Sequence, residues 1–274
     1  LVNDAKLSYA HKYLNTVKPE YKDYPVIAAS QYYKYGVNAV DDYANISGGV
    51  TEAELAQIQA YNGYTAIYKI TGKQLREWLE WIASAYETIY QENTSSDTTM
   101  AGLVQSAVGK QLVSDEWQNN WGNFRVFDGI EYTISPINKP RYDLNGNKIN
   151  NTNRITKLMY NGQNVTDSME LILVTDIITK PTEATANIDN QKVYGGYNRG
   201  QVIVSDYLSE LAKMGKVGYT ADNNWNVLVP GGYSFLIKSP VTSETFAKNT
   251  KWYSKTATSS GGLAYIQGYG SALS

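Results

Sequence analysis

The sequence predicts an α+β fold, with a mixed β-sheet and flanking helices. Three observations carry that prediction. Thr71-Gly72-Lys73-Gln74-Leu75-Arg76-Glu77-Trp78-Leu79-Glu80 is a helix start with its cap written in, and the segment Ala66 to Ile70 leads into it as a strand. Asp128-Gly129-Ile130-Glu131-Tyr132-Thr133-Ile134 is a turn followed by strand-like alternation. Helical and strand patterns are also mixed along the chain, and no internal repeat is evident.

Taken in order, residues 4 to 15 read as a helix, with Ala5, Tyr9, Lys12 and Tyr13 spaced along it and Pro19 beyond its end. Val26-Ile27-Ala28-Ala29, within Pro25 to Ser30, reads as a short buried strand. A tyrosine-rich loop, Tyr32-Tyr33-Lys34-Tyr35-Gly36, follows, and after Gly48-Gly49 Thr51 with Glu54 writes a capping box. At the next helix Thr71 caps the amide of Gln74 while Gln74 reaches back. Leu75, Trp78, Leu79 and Ile82 then form one apolar stripe. Spacing predicts an ion pair between Arg76 and Glu80 on the outer face of this helix.

Residues 91 to 121 read as a polar excursion, with a short helix near Val104 to Leu112. Ile130, Tyr132 and Ile134 alternate with polar neighbours, and Asn145-Gly146 and Asn161-Gly162 are hairpin-type turns. Met169 to Thr175 is a near-continuous apolar strand. Val202 to Met214 has helical spacing through Ile203, Tyr207, Leu208 and Leu211, with Gly215 as its C-cap. Tyr233 to Ile237 is strand-like, and the chain ends in a Gly/Ser-rich segment.

Composition excludes several chemistries. A formal net charge of -2 from 24 basic and 26 acidic residues gives no field for a nucleic acid polymer or an anionic membrane. The absence of cysteine excludes disulfides, thiolate metal sites and cysteine nucleophiles, and is compatible with export from a bacterium. The single histidine, His11, cannot furnish a histidine-based dimetal site. No apolar run approaches the roughly 20 residues of a membrane span. Asp4, Lys6, His11 and Lys12 break any signal-peptide pattern at the start, so the expectation is a cytosolic protein or a segment of a longer precursor. The adjacent carboxylates Asp41-Asp42 and Asp115-Glu116 read as solvated turns, and Gly268-Tyr269-Gly270 lacks the following helix of a dinucleotide fingerprint. The Tyr and Trp content suits sheet packing and equally a carbohydrate surface.

Several passages together resemble the C-terminal domain of the 5'-nucleotidase and 2',3'-cyclic-nucleotide 2'-phosphodiesterase (3'-nucleotidase) family. They are Pro25 to Ser30; Tyr43 to Leu55 with Ile46, Gly49 and Thr51; Tyr61-Asn62 ahead of the strand leading to Thr71-Gly72; Phe127 to Ile134; Pro140-Arg141-Tyr142-Asp143; and Arg154 to Gly162. Pro-Arg-Tyr-Asp favours the cyclic-nucleotide phosphodiesterase branch. The resemblance runs from about Asp4 to about Ser239 and implies a single domain over 1–274, with an opening helix and linker at 1–20 and the excursion at 91–121.

What the resemblance implies is a recognition domain for a nucleoside or nucleotide. The metal chemistry would lie in an upstream metallophosphoesterase domain of the same polypeptide, where divalent metals are expected. This chain would need no cofactor and hold no catalytic residue, and it would be extracellular or attached to a bacterial cell wall. In the family two aromatic rings sandwich the base, a sequence-tolerant way to bind a π-face. Tyr61 matches the first ring position and Asn62 follows it; Tyr194 and Tyr197, flanking Gly195-Gly196, are the candidates for the second. Lys34 matches a loop lysine, whereas Asn38 stands where the pattern has arginine, and Thr175 to Thr179 replaces the family's Asn-Asn-Tyr-Arg loop. An amide does not copy a guanidinium fork toward phosphate. These departures carry the alternative reading, a degenerate structural or cell-surface interaction module.

Overall fold

The computed structural model describes residues 1–31, 50–60, 63–89, 112–118, 120–215, 222–231, 233–240, 245, 248–249, 253–258 and 263–269. Among these, helix α1 (Val2–Thr16) precedes strand β1 (Val26–Ser30). Helix α2 (Glu52–Ile58), strand β2 (Tyr64–Thr71) and helix α3 (Gly72–Ala83) follow. After the short helix α4 (Asp115–Gln118) come β3 (Val126–Asp128), β4 (Glu131–Ile134), β5 (Ile155–Tyr160), β6 (Gln163–Asn164), β7 (Glu170–Asp176) and β8 (Lys192–Arg199). Helix α5 (Gly200–Lys213) and strands β9 (Trp225–Val227), β10 (Ser234–Pro240), β11 (Tyr253–Thr258) and β12 (Leu263–Tyr269) complete the chain.

The expected mixed sheet is present. Five strands run in the order β3-β1-β7-β2-β8, with β1 and β7 parallel and the other neighbours antiparallel. A second sheet has the order β6-β5-β4-β9, and a third β10-β12-β11. The central strands of the first sheet are covered on both faces, which explains the unbroken apolar run of β1. Alternation divides them: Val26, Ala28, Ile67, Ile172 and Val174 meet Ala10 and Leu14 of α1, whereas Ile27, Ala29, Ala66, Tyr68 and Leu173 meet Leu75, Trp78, Leu79 and Ile82 of α3.

Helix α3 carries the capping box written in its sequence. Gln74 N donates to Thr71 Oγ1 at 3.3 Å and Thr71 N to Gln74 Oε1 at 2.9 Å. Glycine is required at its first position, because a Cβ on Gly72 would stand 2.0 Å from the Thr166 carbonyl oxygen. Thr51 and Glu54 form the second expected capping box, at α2. Asn161 and Gly162, at φ 47° and 77°, make the two-residue hairpin turn joining β5 to β6.

One expectation is corrected. Arg76 and Glu80 do not pair on an outer face: Glu80 is fully buried and accepts the amides of Arg154 and Ile155 at 2.9 and 3.0 Å. Arg76 instead reaches the Val165 carbonyl at 3.3 Å. The i, i+4 rule presumes a solvated face, and the second half of α3 is buried on nearly all sides. The buried side of α1 is formed by Asn3, Ala5, Lys6, Ala10 and Leu14, while Lys12 is exposed and pairs with Glu210 of α5. Residues 90–111, with the short helix expected near 104–112, lie largely outside the described residues. Leu112 and Trp117, at the end of that excursion, are buried in the core with Trp81 and Phe124.

The Pro-Arg-Tyr-Asp and Arg154 passages hold α3 in place. Arg141 Nη1 donates to Glu77 Oε1 at 2.7 Å and Tyr142 OH to Glu77 Oε2 at 2.6 Å. Burial raises the Glu77 pKa, but the bonds from Tyr142 and Arg141 and the Arg141 charge outweigh it, so this carboxyl sits below the ordinary Glu value. The guanidinium of Arg154, completely buried, donates to the carbonyls of Ala83 (2.8 Å), Tyr86 and Asn138 (2.7 Å), and to Thr88 Oγ1 at 2.9 Å. It thereby satisfies carbonyls at the C-terminal end of α3 that have no partner within the helix.

Candidate functional site

Topology gathers several chain segments at one end of the five-stranded sheet. β1 and β7 are parallel, so Ser30 and Asp176, their last residues, lie at the same end. β2 runs against β7 and begins there, with Thr65 opposite Asp176; β8 runs against β2 and finishes there, with Arg199 opposite Tyr64. Asn3 Nδ2 donates to the Val126 carbonyl at 2.9 Å, and Val126 pairs with Ser30, so α1 also starts at this end.

Both flanks of the Tyr61-Asn62 position are fixed. Before it, the Gln59 carbonyl accepts Gln201 Nε2 at 2.9 Å, and a Cβ on Gly200 would meet Gln59 at 3.0 Å. After it, Gly63 O accepts the Gly200 amide at 3.0 Å. The start of α5 therefore seats both sides of the loop between α2 and β2. Tyr61, Asn62 and Lys34 themselves lie outside the described residues.

On the α1 face of this end, Lys6 is buried and its ammonium donates to Asp176 Oδ1 at 3.0 Å and to the Ala29 carbonyl at 3.2 Å. Burial pulls the Lys6 pKa below the ordinary lysine value despite the opposing pull of Asp176. Ser30 Oγ and Thr65 Oγ1 are buried on the same face without a hydrogen-bond partner. At the rim, Tyr64 is 41% exposed and the Arg199 guanidinium lies 4.6 Å above its ring, donating to the Tyr64 hydroxyl at 3.2 Å.

The two candidates for the second ring are placed differently. Tyr194 pairs with Ile67 in β2 and turns its ring to α1, 4.6 Å from Tyr13 and 6.2 Å from Tyr9. Tyr197 is described only through its backbone in β8. Loop 177–182 starts from two fixed amides: Ile177 N donates to Tyr64 O at 2.8 Å and Ile178 N to Tyr68 OH at 2.9 Å.

An open pocket of about 480 Å³ lies elsewhere, beside the turn before β4, lined by Gly129, Ile130, Glu131, Asn161 and Asp222 to Asn224. It contains none of the site residues expected from sequence. His11 is exposed on α1. No group of three or more His, Cys, Asp or Glu able to hold a metal occurs among the described residues. No helix among the described residues is long and apolar enough to cross a membrane.

Lys6, Asp176, Tyr64 and Arg199 were not singled out as site residues by sequence. Lys6 and Asp176 are 170 positions apart, and nothing local signals their meeting. Tyr64 could have been found from its place three residues after Tyr61, at the start of the strand that leads to Thr71-Gly72.

The fold is an α+β scaffold with several loops gathered at one end of its mixed sheet, and comparison places it within a family. The 5'-nucleotidase, C-terminal domain family model matches residues 2–177, and the chain belongs to that family. It is similar to the trifunctional nucleotide phosphoesterase protein YfkN of Bacillus subtilis, 27% identical over 252 residues that cover 90% of this chain and 16% of that protein. It also matches the 2',3'-cyclic-nucleotide 2'-phosphodiesterase/3'-nucleotidase of Haemophilus influenzae, 27% identical over 232 residues covering 82% of this chain and 33% of that protein. The chain thus spans a third or less of these curated relatives. A putative 5'-nucleotidase from Staphylococcus aureus, solved with alpha-ketoglutarate, shares the fold at a TM-score of 0.50 and 14% identity, over 82% of this chain and 35% of that one.

Proposed function

We propose that this chain recognises the nucleoside part of a substrate for a metal-dependent nucleotide phosphoesterase of the 2',3'-cyclic-nucleotide 2'-phosphodiesterase/3'-nucleotidase type. Hydrolysis would take place in an upstream metallophosphoesterase domain of the same polypeptide, outside the cell or at its wall. The observation that carries this reading is the convergence of the segments after β1, before β2, after β7 and at the end of β8 on one end of the sheet, in a chain of this family. The start of α1 lies at the same end, so a preceding domain would join beside these loops.

In this reading Tyr61 stacks on the base, Asn62 hydrogen-bonds its edge, and Tyr197 supplies the opposing ring. Tyr194 packs on α1 and supports that strand from behind. Lys34 meets phosphate as a point charge, and Arg199 brings to the same end a guanidinium, the group that Asn38 does not provide. Titration of the chain with adenosine, AMP and 3'-AMP tests the reading. Saturable binding that Tyr61→Ala abolishes is expected; no binding at millimolar ligand, or unchanged binding in that variant, overturns it.

The second reading, a degenerate interaction module, draws on Asn38, on the altered Thr175 to Thr179 run and on the engagement of Tyr194 in packing. Under that reading all three ligands fail to bind while the chain remains folded.

A further inference from the structure

The first helix of the domain touches the bases of two candidate ligand loops through a single side chain. Lys6 lies in the second turn of α1, and its ammonium bonds Ala29 O, one residue before β1 ends, and Asp176 Oδ1, at the last residue of β7. The segment after β1 carries Lys34, and the segment after β7 is the run that replaces the family's aromatic loop. Thr65, opposite Asp176 in β2, is four residues after Tyr61.

We propose that Lys6 and Asp176 are a positioning pair that locks α1 to the C-terminal ends of β1 and β7, so that the opening helix and the start of the segment after β7 move as one body. The proposal rests on the recognition reading above and deepens it. A displacement of α1 relative to the sheet is then transmitted to the loop end, and the loop end in turn holds α1.

Three features of the site support the pair. The ammonium is 1% exposed and is held between the two parallel strands rather than along one of them, so it reports on both. Burial opposes its charge, so the pair persists only while α1 and β7 keep their present spacing. Ser30 Oγ and Thr65 Oγ1 beside it have no partner, so neither offers a second brace for the loop bases.

The test uses the whole chain with Asp176→Asn, which keeps an acceptor for Lys6, Lys6→Met, which keeps the stem, and the double variant. Adenosine affinity is measured by calorimetry well below the melting temperature. Amide exchange at Ile177 and Ile178 is compared with that at Leu173 inside β7. The expected result is an affinity loss of about tenfold in each single variant, no further loss in the double, and faster exchange at Ile177 and Ile178 but not Leu173. Unchanged affinity and unchanged loop exchange in folded Asp176→Asn overturn the proposal, whatever happens to the melting temperature. If the unaltered chain does not bind adenosine, the recognition reading fails and exchange alone decides: acceleration confined to the loop sustains the pair, and its absence overturns it.

Discussion

Around α3, Glu77, Glu80, Arg141, Tyr142 and Arg154 satisfy one another and the neighbouring backbone. At the loop end of the five-stranded sheet Lys6 and Asp176 pair, while Ser30 and Thr65 beside them have buried hydroxyls without partners and Tyr64 stands exposed under Arg199. In the first region these charged groups are paired internally, while the buried Trp78 Nε1 of α3 has no partner, and the region behaves as a fixture. The second has two buried hydroxyls without partners and an accessible ring. Two of the passages behind the family resemblance, Pro140 to Asp143 and the start of Arg154 to Gly162, lie in the first region and hold the scaffold.

The largest effect expected is the loss of Arg154. Arg154→Met keeps the stem and removes a guanidinium that bonds three carbonyls and a hydroxyl in a site closed to water. Hydrogen bonds from a charged donor are worth about 1.5–3 kcal/mol each, and the carbonyls left behind stay buried, so the variant should lose about 3–5 kcal/mol in urea unfolding. A loss below about 1 kcal/mol would show that water replaces the guanidinium and that this region is no fixture.

Gly72→Ala tests the same fixture through the backbone. Its Cβ would fall 2.0 Å from Thr166 O, so α3 and the segment before β7 must move apart. A destabilisation of about 1–3 kcal/mol is expected, the usual range for overpacking. Thr71→Ala removes only the cap to Gln74 and should cost about 1 kcal/mol.

What could be read from the sequence follows the same division. The cap at Thr71, the stripe Leu75 to Ile82 and the Asn161-Gly162 turn are local: each needs residues within a turn or two of helix or hairpin, and each appeared as written. Glu80 was misread because its partners, the amides of Arg154 and Ile155, come from 74 and 75 positions away. The spacing rule that paired it with Arg76 does not register burial. The loop end was legible only as a place. Tyr61 and Asn62 follow from resemblance, whereas the Lys6–Asp176 pair spans 170 positions and Arg199 over Tyr64 spans 135. Contacts of that reach depend on strand order, which periodicity does not encode.

The carboxylates of α3 offer a pH test of the fixture, because they shift in opposite directions. Glu77 has a folded pKa below its ordinary 4.5, so the stability it contributes is present above 4.5 and is lost as pH falls through the folded value. Burial, the largest influence on Glu80, raises its pKa above 4.5. The folded state then holds that proton more tightly than the unfolded chain, and stability falls as pH rises from 4.5 through the folded value. Relative to the unaltered chain, Glu77→Gln should flatten the acid limb of unfolding free energy against pH, and Glu80→Gln should flatten the limb on its alkaline side. Parallel profiles in both variants would show that the two carboxylates share one environment.

The smallest expected change in stability is at the loop end, where it separates the two regions most directly. Arg199 is exposed and bonds the Tyr64 hydroxyl at the rim, so Arg199→Ala should alter unfolding free energy by no more than about 0.5 kcal/mol. Its effect should appear in ligand discrimination. If the guanidinium reaches the phosphate, AMP should weaken by about 1 kcal/mol, roughly fivefold, while adenosine, lacking that charge, changes less. Added salt should shrink the gap between the two ligands in the unaltered chain and leave it small in the variant. Equal weakening of AMP and adenosine would assign Arg199 to the support of Tyr64 and its stacking face. No weakening of either would remove the rim from the recognition site and leave Tyr61, Asn62 and Lys34 to carry it.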